Sequence, residues 1–267
     1  MLVGLSTGAG GLVAGTGAYG FLYERHRLQV VRETLPVSGL PEGFDGLRVG
    51  LMTDVHHSQF VSRENVEAAV DLLMAEQPDL IILGGDYVSY ADRAYMTPCA
   101  EALSRLHAPH GVFAALGNHD DERDMPAELA RRGVTMLMDQ RTWIEVNHDR
   151  LAIAGLRYWT RRASDIAGVL NGVEVPTLLI AHDPRRLSEA AALDVGLVLS
   201  GHTHGGQVVV PGLGAVAARK FPVVAGRATR ENTTIFVSRG VGTVIVPYRL
   251  NCPPDVSVLT LERKSRI

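Results

Sequence analysis

The chain has 267 residues, 46% of them hydrophobic and 21% charged, with a formal net charge of −3. That balance suits a globular protein with a sizeable core and excludes a disordered tail or a polytopic membrane protein, and the slight acidity leaves no electrostatic footprint for a nucleic-acid partner. Cys99 and Cys252 are too few for a disulfide framework and lack metal-type spacing, whereas 10 histidines direct any bound metal toward imidazole and carboxylate ligands.

Residues 1–23 carry no charged side chain and are rich in glycine. Three readings compete for them: a membrane anchor, the apolar region of an export signal, and an N-terminal tail. The uncharged span of membrane length favours membrane association or export, with a cytoplasmic location as the alternative. Residues 24–46, with Pro36 and Pro41, read as a linker and leading strand, and 47–267 as one catalytic domain. Within it, 47–53 is an apolar run suited to a buried strand. A helix starts at Ser62, where Val66, Ala69, Val70, Leu73 and Met74 repeat at helical spacing, and Pro78 stops it. A strand over 80–83, a helix around 100–106, a strand over 111–116 and a helix from Pro126 to before Gly133 follow. Beyond Gly133 the runs 134–138, 142–147, 151–156, 177–181, 196–199, 207–210, 234–238 and 256–261 are strand-like, with helices near 163–170 and 185–192. This pattern predicts an α/β protein built on a two-sheet sandwich flanked by helices rather than on a single parallel sheet.

Four segments set metal-preferring side chains directly after predicted strands: Asp54-Val55-His56-His57, Gly84-Gly85-Asp86, Gly117-Asn118-His119-Asp120 and Gly201-His202-Thr203-His204. Strand ends in α/β proteins are where ligands are expected, and glycine there lets the backbone approach a ligand closely. His182, after Leu178-Leu179-Ile180-Ala181, is a fifth candidate. Each segment alone has an ordinary reading as a polar turn. Their conjunction in this order does not.

In that order the five elements resemble the calcineurin-like metallophosphoesterase superfamily, whose pattern runs D-x-H, G-D, G-N-H-D/E, a lone His and G-H-x-H. GHTHGGQ (201–207), VSRGVGT (237–243) and NCPPDVSVLTL (251–261) are most similar to its bacterial YkuE/YaeI-type membrane-associated branch. The resemblance implies a ββ sandwich with helices on both outer faces (an αββα fold) and two divalent metal ions, manganese first, with iron or zinc as alternatives. It also implies hydrolysis of a phosphodiester or pyrophosphate bond by a metal-bridging hydroxide. Carried over residue by residue, Asp54, His56 and His204 would hold one ion, Asn118, His182 and His202 the other, and Asp86 would bridge them. His119 would face the leaving-group oxygen, with Asp120 orienting its ring. The branch and the apolar start imply a lipid-linked substrate, such as UDP-2,3-diacylglucosamine or a phospholipid, and membrane association through residues 1–23.

Two alternatives stand beside this reading. One is a phosphomonoesterase or protein phosphatase, against which GGDYVSYADR (84–93) lacks the arginine of the G-D-x-V-D-R-G run. The other is a non-catalytic interaction module, which is expected to have lost ligands that this chain keeps. His57 is expected to touch a carboxylate beside the site, and Asp183 to cap a helix ahead of Pro184. Residues 205–232 are either a substrate-facing flap presenting Lys220, Phe221 and Arg227 or a plain surface connection. No feature of the sequence bears on oligomeric state.

Overall fold

The apolar runs form two six-stranded sheets in a computed structural model that describes residues 15–264. In chain order the first half comprises a helix α1 over residues 15–22, β1 (Gln29–Ser38), β2 (Arg48–Met52), α2 (Arg63–Ala75), β3 (Leu80–Leu83), α3 (Arg93–Leu103), β4 (Val112–Ala114), α4 (Asp124–Ala130) and β5 (Thr135–Met136). The second half comprises β6 (Gln140–Val146), β7 (Asp149–Gly155), α5 (Ala163–Leu170), β8 (Thr177–Ile180), α6 (Leu187–Ala192), β9 (Leu197–Ser200), β10 (Gly226–Arg230), β11 (Thr233–Val237) and β12 (Asp255–Lys264). One sheet has the order β1-β12-β2-β3-β4-β5 and the other β10-β11-β9-β8-β7-β6. Strands β2 to β5 run parallel in the first sheet, and β7, β8, β9 and β11 run parallel in the second.

The alternation of side chains along each strand decides what packs where. In β3, Leu80 and Ile82 face the space between the sheets, where they join Leu51, Ile153, Leu178, Ile180 and Leu199 in one apolar layer. Ile81 and Leu83 face the other way and pack with Val66, Val70 and Leu73 of α2. The second sheet does the same in mirror fashion: Leu179 and Val198 turn outward to Ile166 of α5 and to Leu187 and Ala190 of α6. Strands buried on both faces read as continuous apolar runs, which is why LIIL and TLLI stand out in the sequence. The result is an α/β sandwich with helices on both outer faces.

Several boundaries differ from expectation for local reasons. The helix expected around 100–106 begins earlier, at Arg93, because the Asp92 carboxylate accepts the Ala94 N–H at 3.0 Å and caps it. The run 207–210 forms no ladder; Val208 bridges Leu250 and Val210 bridges Gly214 as isolated pairs. Strand β10 lacks an apolar pattern because it is a largely exposed edge strand beside β11. Within residues 24–46, β1 pairs with β12 over its whole length, from Gln29 opposite Asp255 to Ser38 opposite Lys264. Of the segment expected to be an anchor or export signal, residues 1–14 lie outside the described residues. No helix among the described residues is long and apolar enough to cross a membrane.

Candidate metal centre

Because the central strands of each sheet are parallel, their following loops meet at one edge of the sandwich. Asp54 and His56 follow β2, Asp86 follows β3, Asn118 and His119 follow β4, His182 follows β8, and His202 and His204 follow β9. Backbone bonds knit these loops together: Asp54 N–H to Gly85 O at 2.9 Å, His56 N–H to Asp86 O at 3.0 Å, and Gly201 N–H to His182 O at 3.1 Å. Asp54, His56, Asp86, His202 and His204 all have φ between 49° and 71°. Left-handed backbone at five non-glycine positions is strain of the kind held in place at functional sites. Glycine opens the remaining space. A Cβ at Gly117 would lie 2.0 Å from Asp86 Oδ1, and one at Gly201 would lie 2.1 Å from Asp54 Oδ2.

Six metal-preferring side chains converge there. Asp54, His56 and His204 form one group that could hold an ion, and Asp86, His182 and His202 form a second. In the first, His204 Nε2 lies 3.1 Å from His56 Nε2 and 3.3 Å from Asp54 Oδ1. In the second, His182 Nε2 lies 3.2 Å from Asp86 Oδ2, and the same oxygen lies 3.4 Å from His56 Nε2. The Asp86 carboxylate thus stands between the two groups. His182 Nδ1 lies 2.8 Å from the Gly84 carbonyl oxygen, to which only a protonated nitrogen can donate, so Nε2 is the nitrogen that carries either the second proton, beside Asp86, or an ion in its place. His56 Nδ1 similarly meets Ser89 Oγ at 3.2 Å.

Electrostatics and unsatisfied atoms both fit a cation pair. Burial alone would raise the Asp86 pKa, but His182 and His56 hold the carboxyl well below the usual carboxylate range. Burial opposes protonation of His182, yet Asp86 and Asp54 raise its pKa to about 10. Burial raises Asp54, while burial and the cationic His182 push His202 down to about 3. Burial, then His56 and Arg249, holds His204 well below the ordinary histidine value. Two buried carboxylates therefore demand positive charge, and the surrounding imidazoles offer lone pairs. Asn118 Oδ1 is buried without a hydrogen-bond partner, which is costly unless an ion takes it. The oxygen and nitrogen donor set, with no thiolate, suits a divalent transition metal.

Two expected roles are corrected. Asp120 does not orient the His119 ring: its carboxylate accepts the N–H groups of Asp86 and Tyr87 at 2.7 Å and of Gly117 at 2.8 Å, and so clamps the Asp86 loop. His119 is aimed by backbone instead, its Nδ1 accepting the Tyr90 N–H at 3.1 Å. Among the described residues His57 pairs with no carboxylate; its Nδ1 lies 2.8 Å from Val61 O and its ring meets Tyr95 edge to face. Asp183 caps the turn at Pro184 by accepting the Arg185 N–H, as expected. Sequence reasoning missed Arg249. Fully buried, it donates to the carbonyls of Arg239, Gly240, Gly242 and Cys252 and pins the 237–243 segment against Asp54. Its only sequence signal was its place between the segments 237–243 and 251–261.

The sequence model for calcineurin-like phosphoesterases matches residues 47–206, and the chain belongs to that family. It is 29% identical to the uncharacterized metallophosphoesterase YkuE of Bacillus subtilis, over 95% of this chain and 93% of that one. It is 31% identical to phosphodiesterase YaeI of Escherichia coli, over 80% of this chain and 82% of that one. A zebrafish transmembrane protein with a metallophosphoesterase domain is 28% identical over 92% of this chain and 60% of its own. Among solved structures, the NAD nucleotidase of Haemophilus influenzae shares the fold with a TM-score of 0.52 at 13% identity, covering 73% of this chain and 45% of that one. The sulfate thiohydrolase SoxB of Thermus thermophilus does so with a TM-score of 0.52 at 10% identity, covering 84% and 57%.

Proposed function

We propose that the chain is a two-metal phosphoesterase that hydrolyses a phosphodiester or pyrophosphate bond, acting on a lipid-linked substrate. The observation that carries this reading is the Asp86 carboxylate set between two ligand groups, 3.4 Å from His56 Nε2 and 3.2 Å from His182 Nε2. In it, Asp54, His56 and His204 would hold one ion, Asn118, His182 and His202 the other, and Asp86 would serve both; manganese is the first choice. When bound, such a pair polarises the phosphoryl oxygens and acidifies a water for in-line attack. His119 borders the cavity over the cluster. With Nδ1 accepting the Tyr90 N–H, its neutral ring carries the proton on Nε2, ready to meet a leaving-group oxygen.

The cavity spans about 580 Å³, and Ile245, Val246, Tyr248 and Phe221 line its apolar side. An apolar wall beside buried charge suits a substrate whose phosphate is joined to a lipid. Tyr19, Phe21, Leu22 and Tyr23 are exposed in and just after α1, which supports membrane association through residues 1–23. The name phosphodiesterase for YaeI and the transmembrane designation of the zebrafish relative point the same way. In this reading 47–267 is the catalytic domain, and 24–46 supplies the edge strand β1 of its first sheet and joins it to the membrane-associated segment.

The test is a panel of diesters, monoesters and lipid pyrophosphates assayed with Mn²⁺, Zn²⁺ or chelator, on wild type and Asp86→Asn. Hydrolysis of diesters or pyrophosphates with Mn²⁺, abolished by chelator and cut at least about 100-fold by Asp86→Asn, is the expected result. Activity that survives both treatments overturns the two-metal mechanism.

A further inference from the structure

The imidazoles of the two ligand groups are not held alike. His56 Nδ1 meets Ser89 Oγ at 3.2 Å and His182 Nδ1 meets the Gly84 carbonyl at 2.8 Å, the kind of outer hydrogen bond that orients a ligating ring. His204 lacks such a bond but is enclosed, only 3% exposed, with its ring 4.9 Å from that of His56. His202 has neither support. It is half-buried, its hydrogen bonds to Asp54 come from the backbone N–H, and its ring makes none among the described residues.

Two aromatic rings stand where that bond is missing. The Tyr158 centroid lies 5.3 Å from that of His202, and Phe221 meets His202 edge to face at 5.2 Å. The two rings come from separate loops, and each loop is pinned. Asp139 accepts the Arg157 N–H at 3.0 Å and the Thr160 hydroxyl at 2.8 Å, which fixes the turn carrying Tyr158. Thr203, between His202 and His204, donates its hydroxyl to Val224 O at 2.6 Å and so ties the Phe221 segment to the ligand loop itself. Arg185 joins the two rings. Its Nε donates to both Asp183 oxygens at 2.9 Å, and its guanidinium lies 5.4 Å from the Phe221 centroid. Asp183 first, and the Tyr158 hydroxyl after it, raise the Arg185 pKa above the ordinary arginine value.

We infer that Tyr158 and Phe221 are positioning residues that clamp the His202 ring and thereby set the affinity of one ion of the pair, with Arg185 bracing both rings. Ring packing does here what a hydrogen bond does at His56 and His182: it narrows the rotation of the imidazole before an ion arrives, so less freedom is lost on binding. Tyr158 also lies 6.0 Å from His182, but that ring keeps its bond to Gly84, so the dependence falls on His202. Rings that merely packed the fold would affect its overall stability or both ions together; a clamp acts on one ligand. The inference rests on the two-metal reading and concerns the group of Asp86, His182 and His202.

The test titrates Mn²⁺ into the chelator-stripped, full-length protein by calorimetry, with electron paramagnetic resonance and circular dichroism recorded alongside. Wild type is expected to take two ions per chain. Phe221→Ala and Tyr158→Ala should each weaken one ion about tenfold or more and leave the other within about twofold, and the spectrum of a coupled pair should give way to that of isolated Mn²⁺. His202→Ala should lose the same ion. Tyr158→Phe keeps the ring and should stay within about threefold of wild type. Arg185→Met leaves both rings in place but unbraced and should weaken the same ion by about threefold to tenfold; it carries the test if an alanine variant unfolds. Equal weakening of both ions, or of neither, overturns the clamp and leaves the two-metal reading standing. Loss in Tyr158→Phe as large as in Tyr158→Ala also overturns it, because the hydroxyl and not the ring would then be at work. A wild type that takes a single ion overturns the two-metal reading, and the clamp falls with it.

Discussion

His119 is aimed by backbone rather than by a neighbouring acid. Tyr90 and Ala91 both have φ of 55°, and this left-handed pair turns the Tyr90 N–H onto His119 Nδ1 and the Ala91 N–H onto His119 O, at 3.1 and 2.7 Å. Burial lowers the His119 pKa, so near neutral pH the ring is a neutral donor through Nε2. A donor of this kind matters most where charge builds up on the leaving oxygen. An alkoxide needs it; a nitrophenolate scarcely does. His119→Ala is therefore expected to lower kcat for alkyl diesters about 100-fold or more, and for nitrophenyl diesters less than tenfold. Parallel steady-state assays on the two leaving groups decide it, and equal losses count against the donor role.

Among the elements, the 237–243 segment shows how a loop without regular structure is made rigid enough to serve a site. Val241 N–H bonds Thr53 O at 3.1 Å and Gly242 N–H bonds Asp54 O at 2.7 Å, while Arg249 gathers the carbonyls behind them. Arg249→Met would leave four buried carbonyls without their donor, and the expected cost is about 3 kcal/mol or more in urea unfolding. Arg249→Lys should recover only part, because one ammonium cannot span the fork. A loss below about 1 kcal/mol for the Met variant would show that water replaces the guanidinium. None of this was visible in sequence, where an arginine in a loop reads as solvated. What could be read was local: LIIL and TLLI as buried strands, Ser62 as the start of a helix, and the ligand types directly after strand ends. Asp120 and His57 were misjudged because adjacency in a motif was taken for contact. The backbone turn at Asn118–Asp120 instead sends neighbouring side chains to different partners.

At the scale of the whole molecule, the cavity wall is bonded to the stretch of chain from Thr16 to Glu24. Tyr248, which lines the cavity, donates its hydroxyl to Thr16 O at 3.2 Å, and Arg249 N–H meets Gly20 O at 3.3 Å. Glu24 Oε1 accepts the Cys252 N–H at 2.7 Å, and the Cys252 thiol in turn donates to the His204 carbonyl. Exposed Phe21, Leu22 and Tyr23 therefore lie on chain that is bonded to the cavity wall, and Ile245 and Val246 extend the apolar surface at the rim. Ile245 is 82% exposed and, though β-branched, has φ of 65°, so an apolar side chain on strained backbone stands at the cavity rim. A bilayer covering this surface would shield those side chains and deliver a lipid-linked phosphate directly to the cavity mouth. Wild-type protein is expected to float with anionic phospholipid vesicles. The double change Ile245→Asn and Val246→Ser should lower turnover of a vesicle-borne lipid pyrophosphate at least about tenfold, since each lost apolar contact is worth about 1 kcal/mol. Turnover of a water-soluble diester should stay within about twofold, because neither side chain is a ligand in the metal centre and Asn accepts the left-handed backbone more readily than Ile. Equal effects on the two substrates, or no flotation of the wild type, would remove the bilayer from the mechanism and leave the rim as an ordinary pocket wall.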